Sequence, residues 1–343
     1  MVSEDKPDPI GQAMACQRAG RLEEAADICR RILAAQPLDV DALYLLGAVS
    51  YQTGGYDEAI EHLSRAVAIS PDRPEVCNVF GLALFRVGRL QEAEGSFRAA
   101  IEAAPDFAQA RNNLGSLLKR QGRLQEAAEC QRQAVTLDPG SATGHYNLGN
   151  TLWAMGDLQG AVEAFRQAVA IDPDFADARA NLGEALHALG RVGEAVDVLR
   201  KAAELSPGDA AVRAELGDAL QTMGRLDEAI DTYRQALEID GRSTRALYGM
   251  GCAQNASVRY ADAIPSFRKV LAAAPDHAPA NHNLAESLLG LGRVDEAMEH
   301  FRRAASIDPA GPALLAMAVS IPGAPAADNR AVLEARRRWA ETL

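Results

Sequence analysis

The sequence predicts an all-α fold, a solenoid of helix pairs, and three combs of residues predict it. Prolines stand at 37, 71, 105, 139, 173, 207, 275 and 309, in steps of 34 residues or a multiple, with Gly241 breaking the series. Glycines stand at 20, 54, 88, 122, 156, 190, 224 and 292 in the same register, with Val258 as the exception. Alanine holds 25, 59, 93, 127, 161, 195, 229, 263 and 297 without a miss. A fixed period of this length is the signature of stacked supersecondary units, none of which can bury its apolar face alone.

The units run 6–39, 40–73, 74–107, 108–141, 142–175, 176–209, 210–243, 244–277 and 278–311. In 108–141 the stretch "AQARNNLGSLLKRQG" carries Ala110, Leu114, Leu117 and Leu118 at helical spacing, and Gly122 ends the helix as a residue at ease with positive φ. "RLQEAAECQRQAVTL" is the second helix, stopped at Asp138-Pro139 because the residue before proline is driven out of the α region. Gly115 and Ala127 are small where the two helices approach, and Leu114, Leu124 and Ala134 supply the apolar seam. The first unit has Gln12 and Ala13 for Leu-Gly and opens on Pro7 and Pro9, which predicts a short, frayed leading helix. The eighth has Val258 for glycine and Pro265 in its second helix; this predicts a loosened seam, with the missing N–H of Pro265 among the first four that no helix pairs.

The pattern resembles the tetratricopeptide repeat, whose small, small, aromatic, small and proline positions fall on Gly115, Ala127, Gln131, Ala134 and Pro139. The aromatic slot is Gln131 here, and Phe97, Phe165, Tyr233, Phe267 and Phe301 in other units. The product expected is one right-handed superhelix, with first helices lining a concave face and second helices outside.

The register then assigns a candidate binding groove. Asn113, Asn147, Asn181 and Asn283 hold the sixth position of their units, with Asn78, Asn112 and Asn150 on neighbouring positions. A primary amide offers a donor and an acceptor together, so a spaced row can bind the backbone of an extended peptide while ignoring its side chains. The bland alternative is a set of polar residues on a wet surface. Tyr146, Trp153 and Phe85 are candidate stacking surfaces, whose alternative is ordinary packing between units. Arg86, Lys119 and Arg120 fall near the middle units and Asp177, Glu184, Glu215 and Asp218 follow, a change of sign that would give a peptide a direction. The clamp that some tetratricopeptide domains use for chaperone C-termini is excluded: Asn150 and Asn181 align with it, but Tyr146, Ala211 and Glu215 stand at the cationic positions.

Composition narrows the partners to proteins or peptides, a second copy of the chain included. The net charge of −12 argues against nucleic acid and anionic membranes as general partners. No run of apolar residues is long enough to span a bilayer, and "MVSEDKPDPI" lacks the pattern of a signal peptide, so a cytoplasmic location is expected. Five cysteines without a CxxC pair read as small packing residues. Six histidines form no HExxH, and there is no GxxxxGK[ST], GxGxxG or GxSxG, so neither catalysis nor a metal or other cofactor is expected.

Residues 312–343 follow the last unit as capping or linker helices. Val332, Ala335, Trp339 and Leu343 share a stripe of a helix begun by Asp328, and Arg336, Arg337 and Arg338 the opposite side. "LLAMAVSIPG" and then "LEARRRW" resemble the junction in bacterial Spindly-type protein O-glycosyltransferases, relatives of the O-linked N-acetylglucosamine transferase. That resemblance implies a substrate-selecting repeat region whose catalytic domains lie outside these residues, the asparagine row holding protein substrates. The alternative is a self-standing scaffold or assembly protein.

Overall fold

The computed structural model of the chain describes residues 8–313, 316 and 317. The tail stripe with Trp339 and the three arginines lies outside the described residues. Every regular element among them is an α-helix. The chain divides into two compact units, Met1–Pro173 and Asp174–Leu343. The sequence predicts one continuous array, but in a stack where each pair touches only its neighbours any long run resolves into locally compact parts.

In the first unit the helices are α1 (Pro9–Arg18), α2 (Leu22–Ala35), α3 (Val40–Gln52), α4 (Tyr56–Ile69), α5 (Pro74–Arg86), α6 (Leu90–Ala103), α7 (Ala108–Arg120), α8 (Leu124–Leu137), α9 (Ala142–Ala154) and α10 (Leu158–Ile171). The second holds α11 (Ala176–Ala188), α12 (Val192–Leu205), α13 (Ala210–Thr222), α14 (Leu226–Ile239), α15 (Thr244–Ala256), α16 (Tyr260–Ala273), α17 (Ala278–Gly290) and α18 (Val294–Ile307). Within each unit, odd-numbered first helices pack on the even-numbered second helix that follows, and each second helix packs on the next first helix.

The turn glycines do what their spacing predicts. Gly122 sits at φ 79° between α7 and α8, in the left-handed region that a side chain disfavours. Val258 takes the same place between α15 and α16 at φ 60°, so a β-branched residue is held in a conformation it resists. Seven of the second helices share a start. Arg21, Arg89, Arg123, Arg191, Arg225, Arg259 and Arg293 precede them, and each guanidinium binds the acid three residues on. An acid in the first turn suits the helix dipole, and pairs at this spacing lie on one face of the helix.

Helix pairs close on a small residue opposite a large one. A Cβ at Gly149 would lie 2.5 Å from the Phe165 ring, and one at Gly81 would lie 2.6 Å from Phe97. Phe97, Phe165, Tyr233, Phe267 and Phe301 are all fully buried or within 1% of it. Burial of each such ring contributes about 1.5–3 kcal/mol. Gln131 fills that slot in the α7–α8 pair, fully buried, and neither its Oε1 nor its Nε2 has a hydrogen-bond partner among the described residues.

Two expectations are corrected. The α1 helix is shorter than the other first helices but has a defined start, because the Asp8 carboxylate accepts from the Ile10 and Gly11 N–H groups. Pro265 is not among the unpaired first four of α16: the helix begins at Tyr260, so proline as its sixth residue removes a bond that the helix would otherwise make.

Candidate functional site

Residues four and then three apart share a face of a helix, and in α5, α7 and α9 that face is half-exposed except at the buried Asn78. In the first unit it carries Asn78, Leu82 and Phe85 on α5; Asn112, Ser116 and Lys119 on α7; and Tyr146, Asn150 and Trp153 on α9. Seven of the sequence-predicted site residues of this unit, Asn78, Asn112, Lys119, Tyr146, Asn150 and Trp153 together with Phe85, thus fall on three stripes of one register. Asn113, Asn147 and Arg120 lie one residue further on. Leu82 and Ser116 complete the stripes; their spacing was the available signal.

The amides are joined to one another along the row. Asn113 Nδ2 donates to Asn78 Oδ1 at 2.9 Å, and Asn147 Nδ2 donates to Asn112 Oδ1 at 3.2 Å. Both bonds link the sixth position of one repeat to the fifth of the one before. Asn78 is 2% exposed, which corrects its expected place on an open surface; it serves as acceptor for Asn113. An amide has two N–H groups and two acceptor lone pairs, so each bond uses only part of what the pair can offer. A cleft of about 410 Å³ opens beside these amides, lined by Gln109, Asn112, Asn113 and Ser141 among others.

The expected stacking and charged residues are partly engaged as well. The Arg120 guanidinium lies 5.1 Å from the Phe85 ring centroid and donates to the Phe85 carbonyl at 3.3 Å. Phe85 is therefore a platform for Arg120. The Tyr146 ring packs tilted against Phe165, with centroids 6.0 Å apart. Trp153 is half-buried. Burial lowers the pKa of the Lys119 ammonium below its usual range.

In the second unit the same register gives Glu184 and His187 on α11, Asp218 and Gln221 on α13, Tyr248, Cys252 and Asn255 on α15, and His282 and Glu286 on α17. Asn181 is half-buried at its sixth position. Asn283 donates through Nδ2 to the Tyr248 hydroxyl at 3.0 Å and to Cys252 Sγ at 3.2 Å, again binding one repeat to the one before. The residue types at Tyr248, Cys252 and Asn255 do not recur at the matching positions of the neighbouring repeats, so the repeat pattern carries no signal for them.

Glu215 occupies the sixth position of its repeat, between Asn181 and Gly249 in that register. Burial, and then the charge of Glu184, push its carboxyl up to about 7, although Arg245 Nη1 lies 3.0 Å from Glu215 Oε1. Arg245 also binds Asp218 at 2.7 Å, and the buried Tyr233 hydroxyl donates to Asp218 at 2.6 Å. This acidic pocket is thus stitched to the core of the α13–α14 pair.

Repeated helix pairs that close on a small residue opposite a large one define the class: a helical-repeat protein. Tetratricopeptide repeat models match residues 10–74, 78–142 and 146–210, and a second such model matches 186–251 and 256–320. The chain belongs to the tetratricopeptide repeat family. Comparison with curated proteins gives no match. Among solved structures it is similar to the Cut9–Hcn1 hetero-tetramer of the APC/C, at 19% identity over 84% of this chain and 57% of that one, with TM-score 0.56. It is similar to the pilF protein of Pseudomonas aeruginosa at 20% identity over 60% of this chain and 94% of that one, with TM-score 0.54. YrrB, described as a repeat protein with an unusual peptide-binding site, is 28% identical over 54% of this chain and 96% of that one, with TM-score 0.49. At their identities the first two bear on the fold alone. None of the described helices is long and apolar enough to cross a membrane.

Proposed function

We propose that this chain is a non-catalytic interaction module that holds an extended peptide or protein segment against the half-exposed faces of its first helices. The observation that carries the reading is the pair of stripes Asn112–Ser116–Lys119 and Tyr146–Asn150–Trp153 on neighbouring helices. Together they offer amide donors and acceptors, a hydroxyl, a cation and a ring within one unit. Amide groups suit a peptide backbone and the indole suits an apolar side chain. The narrower form of the reading, the substrate-selecting region of a protein O-glycosyltransferase, rests on the tail sequence at 312–343. A self-standing scaffold draws on the same stripes and needs no further domain.

The test is a peptide array probed with the full chain, followed by affinity measurements on the best peptide. Asn112→Ala with Trp153→Ala should weaken binding at least about tenfold, since a neutral hydrogen bond contributes about 0.5–1.5 kcal/mol and a ring contact adds to it. Circular dichroism controls for folding. Equal affinity in a folded double variant returns these residues to a solvated surface.

A further inference from the structure

We infer that the C-terminal ends of α5 and α7 form a cationic rim of Arg86, Lys119 and Arg120, which takes a run of Asp and Glu side chains in the bound segment. The inference rests on the peptide-binding reading above and names the chemistry of the peptide.

The two arginines hold the same position in successive repeats, thirteenth of 74–107 and of 108–141. Arg120 reaches back over Phe85, whose neighbour in sequence is Arg86, and Lys119 adjoins Arg120. The Arg86 guanidinium lies 5.2 Å from the Tyr56 ring centroid and donates to the Tyr56 hydroxyl at 2.9 Å. Both guanidiniums are thus oriented by ring faces and neutral oxygens, which fix their position without cancelling their charge. Among the described residues, no carboxylate forms an ion pair with any of the three.

The contrast lies three residues downstream of each arginine. Arg89 binds Glu92, and Arg123 binds both Glu94 and Glu126. The loop cations are therefore neutralised while the rim cations are not, in a chain whose net charge is −12. Basic residues in the last turn complement the helix dipole, which accounts for their place but not for the missing counter-charges. Lys119 sharpens the point: burial alone lowers its pKa, with no carboxylate acting to raise it. A desolvated ammonium, with one pre-oriented guanidinium next to it in sequence and a second at the matching position of the preceding repeat, is complementary to carboxylates, which guanidinium binds through two parallel N–H groups.

Fluorescence anisotropy on the full chain tests this, with a short labelled peptide alternating Glu and Ser and its Gln-for-Glu counterpart. The Glu peptide should bind at least about tenfold more tightly at low salt, an advantage that shrinks as ionic strength rises. The double variant Lys119→Gln, Arg120→Gln should lose that advantage with an unchanged melt, and Lys119→Glu, Arg120→Glu should prefer a Lys-containing peptide. If the two peptides bind alike, and bind the Gln variant equally well, the acidic preference is overturned while the peptide-binding reading stands. If array peptides of every charge fail to bind, both are overturned. A single-stranded oligonucleotide that outcompetes the Glu peptide through the same residues would overturn the inference in favour of a phosphate-binding rim.

Discussion

Gln131 is where one side chain departs furthest from the pattern around it. It sits opposite Gly115 as Phe97 sits opposite Gly81, yet it buries an amide with no partner among the described residues. Gln131→Phe should raise stability by about 1–3 kcal/mol, because an unpaired buried polar group is exchanged for ring burial that equivalent pairs already accommodate. Urea unfolding checks it; a loss of stability would mean that the α7–α8 pair is too tight for a ring. Glu215 gives the second residue-scale prediction. Its folded-state pKa lies above its value in an unfolded chain, so the native state holds the proton more tightly. Stability therefore falls as pH rises from about 4.5 to about 7 and is flat in this respect beyond. Glu215→Gln should remove that slope and stabilise the protein at pH 8 by about 1–3 kcal/mol, Asp218 keeping Arg245 paired. Melts across that range decide it. The asparagine row was legible at this scale, since register alone places Asn113 and Asn147. Their bonding was not, because the lateral offset between first helices that brings Asn113 to Asn78 leaves no mark in the 34-residue period.

At the scale of the helix, ends were the most legible feature. Glycine and proline fix them by backbone geometry, so Gly122 and Pro139 bound α8 as their spacing predicts. What the pattern missed concerned single substitutions inside an element. Asp8 supplies a cap where Pro7 and Pro9 alone predict fraying. Pro265 lies deeper in α16 than the first turn, and packing of Phe267 and Val270, both fully buried, keeps the helix continuous around it. Pro265→Ala should restore the lost bond and stabilise the protein by about 1–3 kcal/mol, below the full penalty for proline in a helix interior because the surroundings have adapted. Guanidinium unfolding is the check, and an unchanged midpoint would show that nothing was lost to proline there.

For the molecule as a whole, stability in a repeat array is approximately a sum over units and their nearest-neighbour contacts. The benefit of Pro265→Ala should therefore be local. Hydrogen exchange should slow in α15, α16 and α17, and return to the parental rates two pairs away in α11. Uniform slowing throughout 174–317 would instead mark that unit as one cooperative block. The fold class was fully legible because every unit repeats the same statement about its helices. The candidate surface was legible only in outline: half-exposed positions follow from register, whereas Arg120 over Phe85 and Glu215 against Arg245 depend on which side chains meet across repeats.

Four of the bonds between first helices share one separation. Asn113 to Asn78, Asn147 to Asn112, Arg120 to Phe85 and Asn283 to Tyr248 each span 35 residues. This governs how the gene can change. Excision of the codons for 108–141 would carry Asn147 to the place of Asn113, opposite Asn78, and the amide pair would re-form from what remained. Insertion of a single codon within α7 upstream of Asn113 would rotate its amide away from Asn78, with nothing to replace it. Duplication and loss of whole periods are thus the genetic steps this array absorbs, and a slip of one codon within a helix is the step it rejects.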